Sequence, residues 1–228
     1  MINNVHKYRG HMKKDFRDFL DEWPRNFIHD KDLATQLSLT SGSRHNLIYR
    51  AIKAGRLTRL KPGLYIITNK TKHISYDQFE LALVLYESSM ISMESALSYH
   101  NWIPEAVYTY TSATSKRGRE FRTPLGMFSY EHVPEKNLYL GVARRVTKTG
   151  IAFIADPWRA LADFIYIRHR SWPNLKHLEM DLRIELYSML ESDLTQLETL
   201  CSQYPSPRVR AALTIFFTEI INIKRDNS

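Results

Sequence analysis

The most regular hydrophobic patterning in the chain lies between Ser43 and Ile67, SRHNLIYRAIKAGRLTRLKPGLYII. At about 100° per residue its first half puts Leu47, Ile48, Ala51 and Ile52 on one face and Asn46, Tyr49, Arg50 and Lys53 on the other, as in an amphipathic helix. Ser43, after Gly42, is the expected N-cap. Gly55 stands where such a helix would close in a left-handed residue. Leu57 to Leu60 and Leu64 to Thr68 are then β-prone runs separated by Lys61, Pro62 and Gly63, whose backbone preferences suit a tight reversal. The expectation is a hairpin carrying Arg56, Arg59 and Lys61.

Upstream, Phe16, Phe19, Leu20 and Trp23 recur at helical spacing until Pro24 closes the segment. Residues 1 to 11 are polar and basic without a period, as in a mobile arm. Asp30 is read as the N-cap of a short helix carrying Leu33, Ala34 and Leu37, and SLTSG turns the chain into the next helix. Three helices and a hairpin predict a winged helix-turn-helix over residues 1–70. In that geometry the second helix of the pair enters the major groove and the wing meets phosphates or the adjacent minor groove. Asn69 to Ser75 is polar and is read as a linker.

From Tyr76 the pattern changes, and residues 76–228 are expected to form an α+β domain with a small sheet and a helical C-terminus. Phe79, Leu81, Ala82, Leu83 and Leu85 mark a largely apolar helix, and Ile91 to His100 a second. Strand-like runs follow at Val107 to Ala113, Met127 to Val133, Leu138 to Val142 and Ile151 to Ala155. Asp156 and Pro157 are an N-cap followed by proline at the first helical position, with Trp158, Leu161, Ala162 and Ile165 as the inner stripe. Beyond Pro173 the chain reads as helical. Ser206 and Pro207 repeat the start signal before Val209, Leu213, Phe216 and Phe217.

Charge sharpens the reading of the first part. The 228 residues carry a formal net charge of +8, yet residues 1 to 75 hold 15 Lys and Arg against 6 Asp and Glu, and the rest is close to neutral. No acid occurs from Leu33 through Tyr76. A merely solvated face mixes signs, whereas a face for a polyanion excludes acids. DNA-contacting residues are therefore expected at Ser43, Arg44, Asn46, Tyr49, Arg50, Lys53, Arg56, Arg59 and Lys61. Lys116, Arg117, Arg119 and Arg122, in SKRGREFR, are read as an exposed basic loop that either is solvated, touches flanking DNA or meets an acidic partner.

Catalytic and metal chemistry finds few footholds. Cys201 is the single cysteine, which excludes an intramolecular disulfide and a multi-thiolate metal site and suits a reducing compartment. No Gly-x-Ser-x-Gly elbow, His-Glu-x-x-His or P-loop occurs, and His169 and His177 are too widely spaced for one helical face. Asp156, Arg159 and Asp163 resemble an acid/base set, but a cap and helix-surface ion pairs account for them. No catalytic residue, metal or cofactor is expected. With no apolar signal segment and no run of the roughly 18 apolar residues a span requires, no membrane is implied and a cytoplasmic location is expected.

AGRLTRLKPGLYII, ISMESALSYHNWIPEAVYTYTSA and IAFIADPWRALADFI together resemble the AbiEi-type abortive-infection antitoxins, over nearly the whole chain. The resemblance implies an N-terminal winged helix that represses its own operon by binding double-stranded operator DNA, commonly at inverted repeats. It also implies a C-terminal domain that counteracts a nucleotidyltransferase-like toxin encoded nearby. His100-Asn101-Trp102 stands where His-Gly-Leu is common in that family. The alternative is an enzyme acting on nucleic acid that docks through the winged helix; the lack of clustered carboxylates for two-metal chemistry weighs against it.

Overall fold

The computed structural model describes residues 16–68, 76–105, 107–148 and 150–226. The arm and the linker expected at residues 1–11 and 69–75 lie outside them. The architecture is α+β, and the chain divides into two compact units, Met1–Tyr76 and Asp77–Ser228.

Unit 1 runs α1 (Phe16–Asp21), β1 (Phe27–His29), α2 (Asp30–Leu37), α3 (Ser41–Lys53), β2 (Leu57–Lys61) and β3 (Leu64–Ile67). Its antiparallel sheet has the order β1-β3-β2, with all four residues of the central β3 buried. Strand β1 has no sequence signature beyond three residues, and its register, Phe27 opposite Ile66 and His29 opposite Leu64, is supplied by β3. Leu20, Ile28, Leu33, Ile48, Ala51, Leu57, Tyr65 and Ile67 form the core, flanked by Phe16, Phe19, Trp23 and Leu37.

Both expected caps move. Helix α3 is capped by Thr40, not Ser43: the Thr40 hydroxyl accepts from the Ser43 N–H at 3.3 Å, and Ser43 lies inside the first turn. Helix α2 is entered through His29, whose N–H donates to Asp32 Oδ2 at 3.0 Å, which makes Asp30 the first helical residue. Gly55 closes α3 as expected, at φ +67°, with its N–H on Ile52 O and the Arg56 N–H on Ala51 O, the paired bonds of a Schellman motif. Ile52 departs from its expected place. It is 37% exposed, because the core faces Ile48 and Ala51 and Ile52 falls on the margin of that arc. In the hairpin, Pro62 and Gly63 (φ +75°) make the reversal, and a register shift between Arg59 and Lys61 leaves Leu60 as a bulge.

Unit 2 opens with α4 (Gln78–Leu85), β4 (Ser89–Ile91), α5 (Met93–Tyr99), β5 (Thr109–Thr114), β6 (Arg119–Thr123) and β7 (Gly126–His132). It continues with β8 (Val142–Val146), β9 (Ile151–Ala155), α6 (Pro157–Arg168), α7 (Leu175–Leu182), α8 (Leu186–Leu190), α9 (Leu194–Gln203) and α10 (Pro207–Asp226). The sheet order is β6-β7-β5-β4-β9-β8, with β5–β7 and β4–β9 parallel and the remaining pairs antiparallel.

Three readings change. Ile91 to His100 is not one helix: Ser92 is extended and Met93 has φ +53°, which separates β4 from α5. The strand expected at Leu138 to Val142 begins at Val142, because Leu138 and Leu140 sit in turns and Gly141 (φ +67°) resets the backbone. SKRGREFR is not a loop throughout. Arg119–Thr123 forms the edge strand β6, where Phe121 pairs with Phe128 and its ring meets Tyr86 and Tyr130 at 6.1 and 5.7 Å.

Candidate nucleic-acid interface

The buried side of α3 is narrow, and that leaves a wide outer face. Ile48 and Ala51 are buried, Arg44 and Leu47 are half-buried, and Ser43, His45, Asn46, Tyr49, Arg50 and Lys53 are exposed. Tyr49 is 61% exposed. Asn46, Tyr49 and Lys53 recur at three- and four-residue spacing and so share one outward line, with Arg50 and His45 on its two flanks. His45 was not picked out from sequence; its place one residue before Asn46 in an acid-free helix was the available signal. Gly42 adds clearance at the N-terminal end, since a Cβ there would meet nothing within 4 Å.

Arg44 is differently placed from the other expected contacts. Its Nε and Nη2 donate to the two carboxylate oxygens of Asp30 at 2.8 and 3.2 Å, and that bond raises the pKa of the guanidinium above its ordinary value. In the hairpin Arg59 is exposed on β2, while Arg56 and Lys61 are half-buried at its two ends. Arg56 lies at the junction of α3 and β2, its carbonyl accepting from Thr68 N–H at 2.7 Å. The structure therefore gathers Asn46, Tyr49, Arg50, Lys53 and Arg59 on the exposed surface of one unit and engages Arg44 inside it.

The second basic group lies on unit 2. Lys116 Nζ donates to Glu87 O at 2.9 Å, and both Lys116 and Arg119 sit over the Tyr86 ring, at 5.5 and 5.9 Å. Arg117 and Arg122 are exposed. Glu87 and Glu120 are exposed in the same segments.

Asp156, Arg159 and Asp163 are the largest surprise in unit 2. Asp156 does cap α6, accepting from Arg159 N–H at 2.7 Å, and Pro157 follows it. The pair it leads to is not on the helix surface. Arg159 and Asp163 are 2% and 0% exposed, with Arg159 Nε donating to Asp163 Oδ1 at 3.0 Å. Arg159 Nη1 also donates to Asn137 O and Leu140 O at 3.1 and 2.8 Å. Asp163 accepts in addition from Tyr204 Oη at 2.9 Å and Ser92 Oγ at 2.7 Å. An i,i+4 spacing places the two charges on one helix face but leaves open whether that face is wet; here Ser92, Tyr204 and the turn before β8 close over it.

Asp156 itself is tight. Its Oδ2 is buried without a partner, burial pushes its carboxyl up to about 6, and a Cβ on Gly141 would run into that oxygen and come within 3.0 Å of Arg159 Cβ. A pocket of about 340 Å³ opens beside it, lined by His100, Trp102, Trp158, Glu191 and Asp193 among others. His100 is held below its ordinary pKa by burial, with Nε2 on Ala155 O at 2.9 Å opposing the shift. Burial pushes the Cys201 thiol up, the opposite of nucleophile activation. Among the described residues no three His, Cys, Asp or Glu side chains gather to hold a metal, and no helix is long and apolar enough to cross a membrane.

No family model matches the chain, and no curated protein does. Among solved structures the chain is similar to the RV2827C protein from Mycobacterium tuberculosis, at 14% identity and a TM-score of 0.56, over 86% of this chain and 73% of that one. The likeness is one of fold.

Proposed function

We propose that the chain is a DNA-binding transcriptional repressor that also serves as the antitoxin of a bacterial abortive-infection system, with unit 1 acting as a winged helix. The observation that carries the DNA half is the outer face of α3, where Asn46, Tyr49, Arg50 and Lys53 stand exposed within a stretch that holds no acid from Leu33 through Tyr76. Helix α3 is the second helix of its pair and has the width and polarity to enter a major groove. Asn46 bridges adenine N6 and N7, and Arg50 bridges guanine O6 and N7. Lys53, near the C-terminal end, meets phosphate, and Arg59 on the hairpin does the same. The antitoxin half rests on the resemblance carried by ISMESALSYHNWIPEAVYTYTSA and IAFIADPWRALADFI; its partner is a nucleotidyltransferase-like toxin encoded next to this chain.

The test is fluorescence anisotropy of the full chain with duplex DNA taken from upstream of its own reading frame. Affinity is expected to fall with salt at a log–log slope of roughly 0.9 per phosphate contacted. Asn46→Ala and Arg50→Ala should each relax discrimination at a different base pair by roughly 1 to 3 kcal/mol. Binding that is absent or indifferent to salt would overturn the DNA half. Co-expression with the neighbouring gene tests the other half, which fails if that gene's product is harmless alone or equally toxic beside this chain.

A further inference from the structure

Asp30 stands where three parts of unit 1 meet. Its backbone opens α2, and its N–H donates to Gly63 O at the hairpin reversal at 2.9 Å. Its two carboxylate oxygens take Nε and Nη2 of Arg44, from the first turns of α3. A Cβ at Gly63 would lie 3.9 Å from the Asp30 Cβ, so the reversal is in contact with the start of α2 as well as bonded to it.

The character of this bridge says what it does. The Arg44 and Asp30 side chains are 15% and 39% exposed, and a pair whose carboxylate is this open to water adds only modestly to stability. A two-toothed guanidinium–carboxylate bond is nevertheless directional: it fixes the rotation of one helix against another as well as their separation. The same residue's backbone fixes the hairpin. An acid next to a polyanion-binding face is otherwise unfavourable, and here Arg44 compensates the charge.

We propose that Asp30 is a positioning residue that couples the hairpin to α3, so that the phosphate contact of Arg59 forms in register with the groove contacts of Asn46 and Arg50. This rests on the nucleic-acid reading of the α3 face. Without the bridge the two parts still bind DNA and stay joined through the shared core, but the rotation of α3 against the hairpin is held less tightly.

A double-mutant cycle on the full chain tests it, with anisotropy against the upstream duplex as the readout. Arg59→Ala weakens the parent several-fold; in an Asp30→Ala background the same change should cost about threefold less or smaller still, while the cost of Lys53→Ala is the same in both backgrounds. The exchange Asp30→Arg with Arg44→Asp should restore the Arg59 penalty. A merely structural role would lower the unfolding temperature and weaken every contact alike, without this selectivity. If Asp30→Ala does not fold, Asp30→Asn, which keeps the shape and the backbone bond, is read the same way. An unchanged Arg59→Ala penalty in the Asp30 variants overturns the inference alone. A parent chain that binds no DNA overturns the function proposed for the face, and this inference with it.

Discussion

Asp163→Ala is the sharpest perturbation of unit 2. Asp163 is fully buried and receives three donors, Arg159 Nε, Tyr204 Oη and Ser92 Oγ, at 3.0, 2.9 and 2.7 Å. Removing the carboxylate strands a guanidinium that is itself 2% exposed, and breaking a buried pair from one side costs about 3 to 5 kcal/mol. Two buried hydroxyls lose their acceptor as well, each worth about 1 to 3 kcal/mol if nothing replaces it. These losses do not add in full, because the space left by the carboxylate admits water, so a total of about 4 to 6 kcal/mol is expected. Set against the roughly 5 to 15 kcal/mol that holds a typical domain, this removes about a third or more of the stability of unit 2. The assay is urea unfolding followed by tryptophan fluorescence, since Trp158 stands on α6 with Trp102 edge-on at 4.8 Å. Arg159→Met with Asp163→Leu should recover part of the loss by removing both charges, although Asn137 O and Leu140 O then lose their donor. A loss below about 1 kcal/mol for Asp163→Ala would refute the reasoning, as would a double variant less stable than the single one.

Asp156 should give unit 2 a pH-dependent stability. Its folded carboxyl is raised from 3.8 to about 6, chiefly by burial, so the native state holds that proton more tightly than the unfolded chain and stability falls as pH rises through that interval. Asp156→Asn keeps an acceptor for the α6 cap and should flatten the urea midpoint between those two values; an unaltered pH profile would show that the carboxyl is already ionised there. In unit 1, Ile48→Ala should cost about 2 to 5 kcal/mol and Ile52→Ala under about 1, because the first is 5% exposed and the second 37%. Equal thermal shifts for the two would mean that α3 packs through a different arc.

What could be read from sequence in unit 1 was whatever a single element states about itself. Gly55 announces a helix end and Pro62-Gly63 a reversal, because each needs a particular backbone angle and only a few residues supply it. Strand β1 was silent for the opposite reason: three residues carry no period, and their conformation comes from pairing with β3. Periodicity also gave α3 its two faces but not their margins, so Ile52 was assigned inward from angle alone. In unit 2, SKRGREFR drew attention through its charges, which hid the alternation around Phe121 that makes it an edge strand. Asp156-Pro157 was legible as a helix start; that Arg159 and Asp163 are buried depended on Ser92 and Tyr204, which no local pattern connects to them. Arg44 likewise carries no local sign of its partner, because Asp30 lies 14 residues earlier in the chain.

The carboxylate of Asp163 also sets an order of assembly on the ribosome. Its partners Ser92 and Tyr204 lie 71 residues before it and 41 after, and β4 finds its parallel neighbour only when β9 has been made. Unit 2 thus cannot reach its final packing until translation has passed Tyr204 and the polypeptide has cleared the exit tunnel. Unit 1 waits for far less of the chain, since its core residues run only to Ile67. Segments with short-range contacts close early and those with long-range contacts late. During synthesis the amino-terminal unit is accordingly expected to close while the rest of the nascent chain is still open.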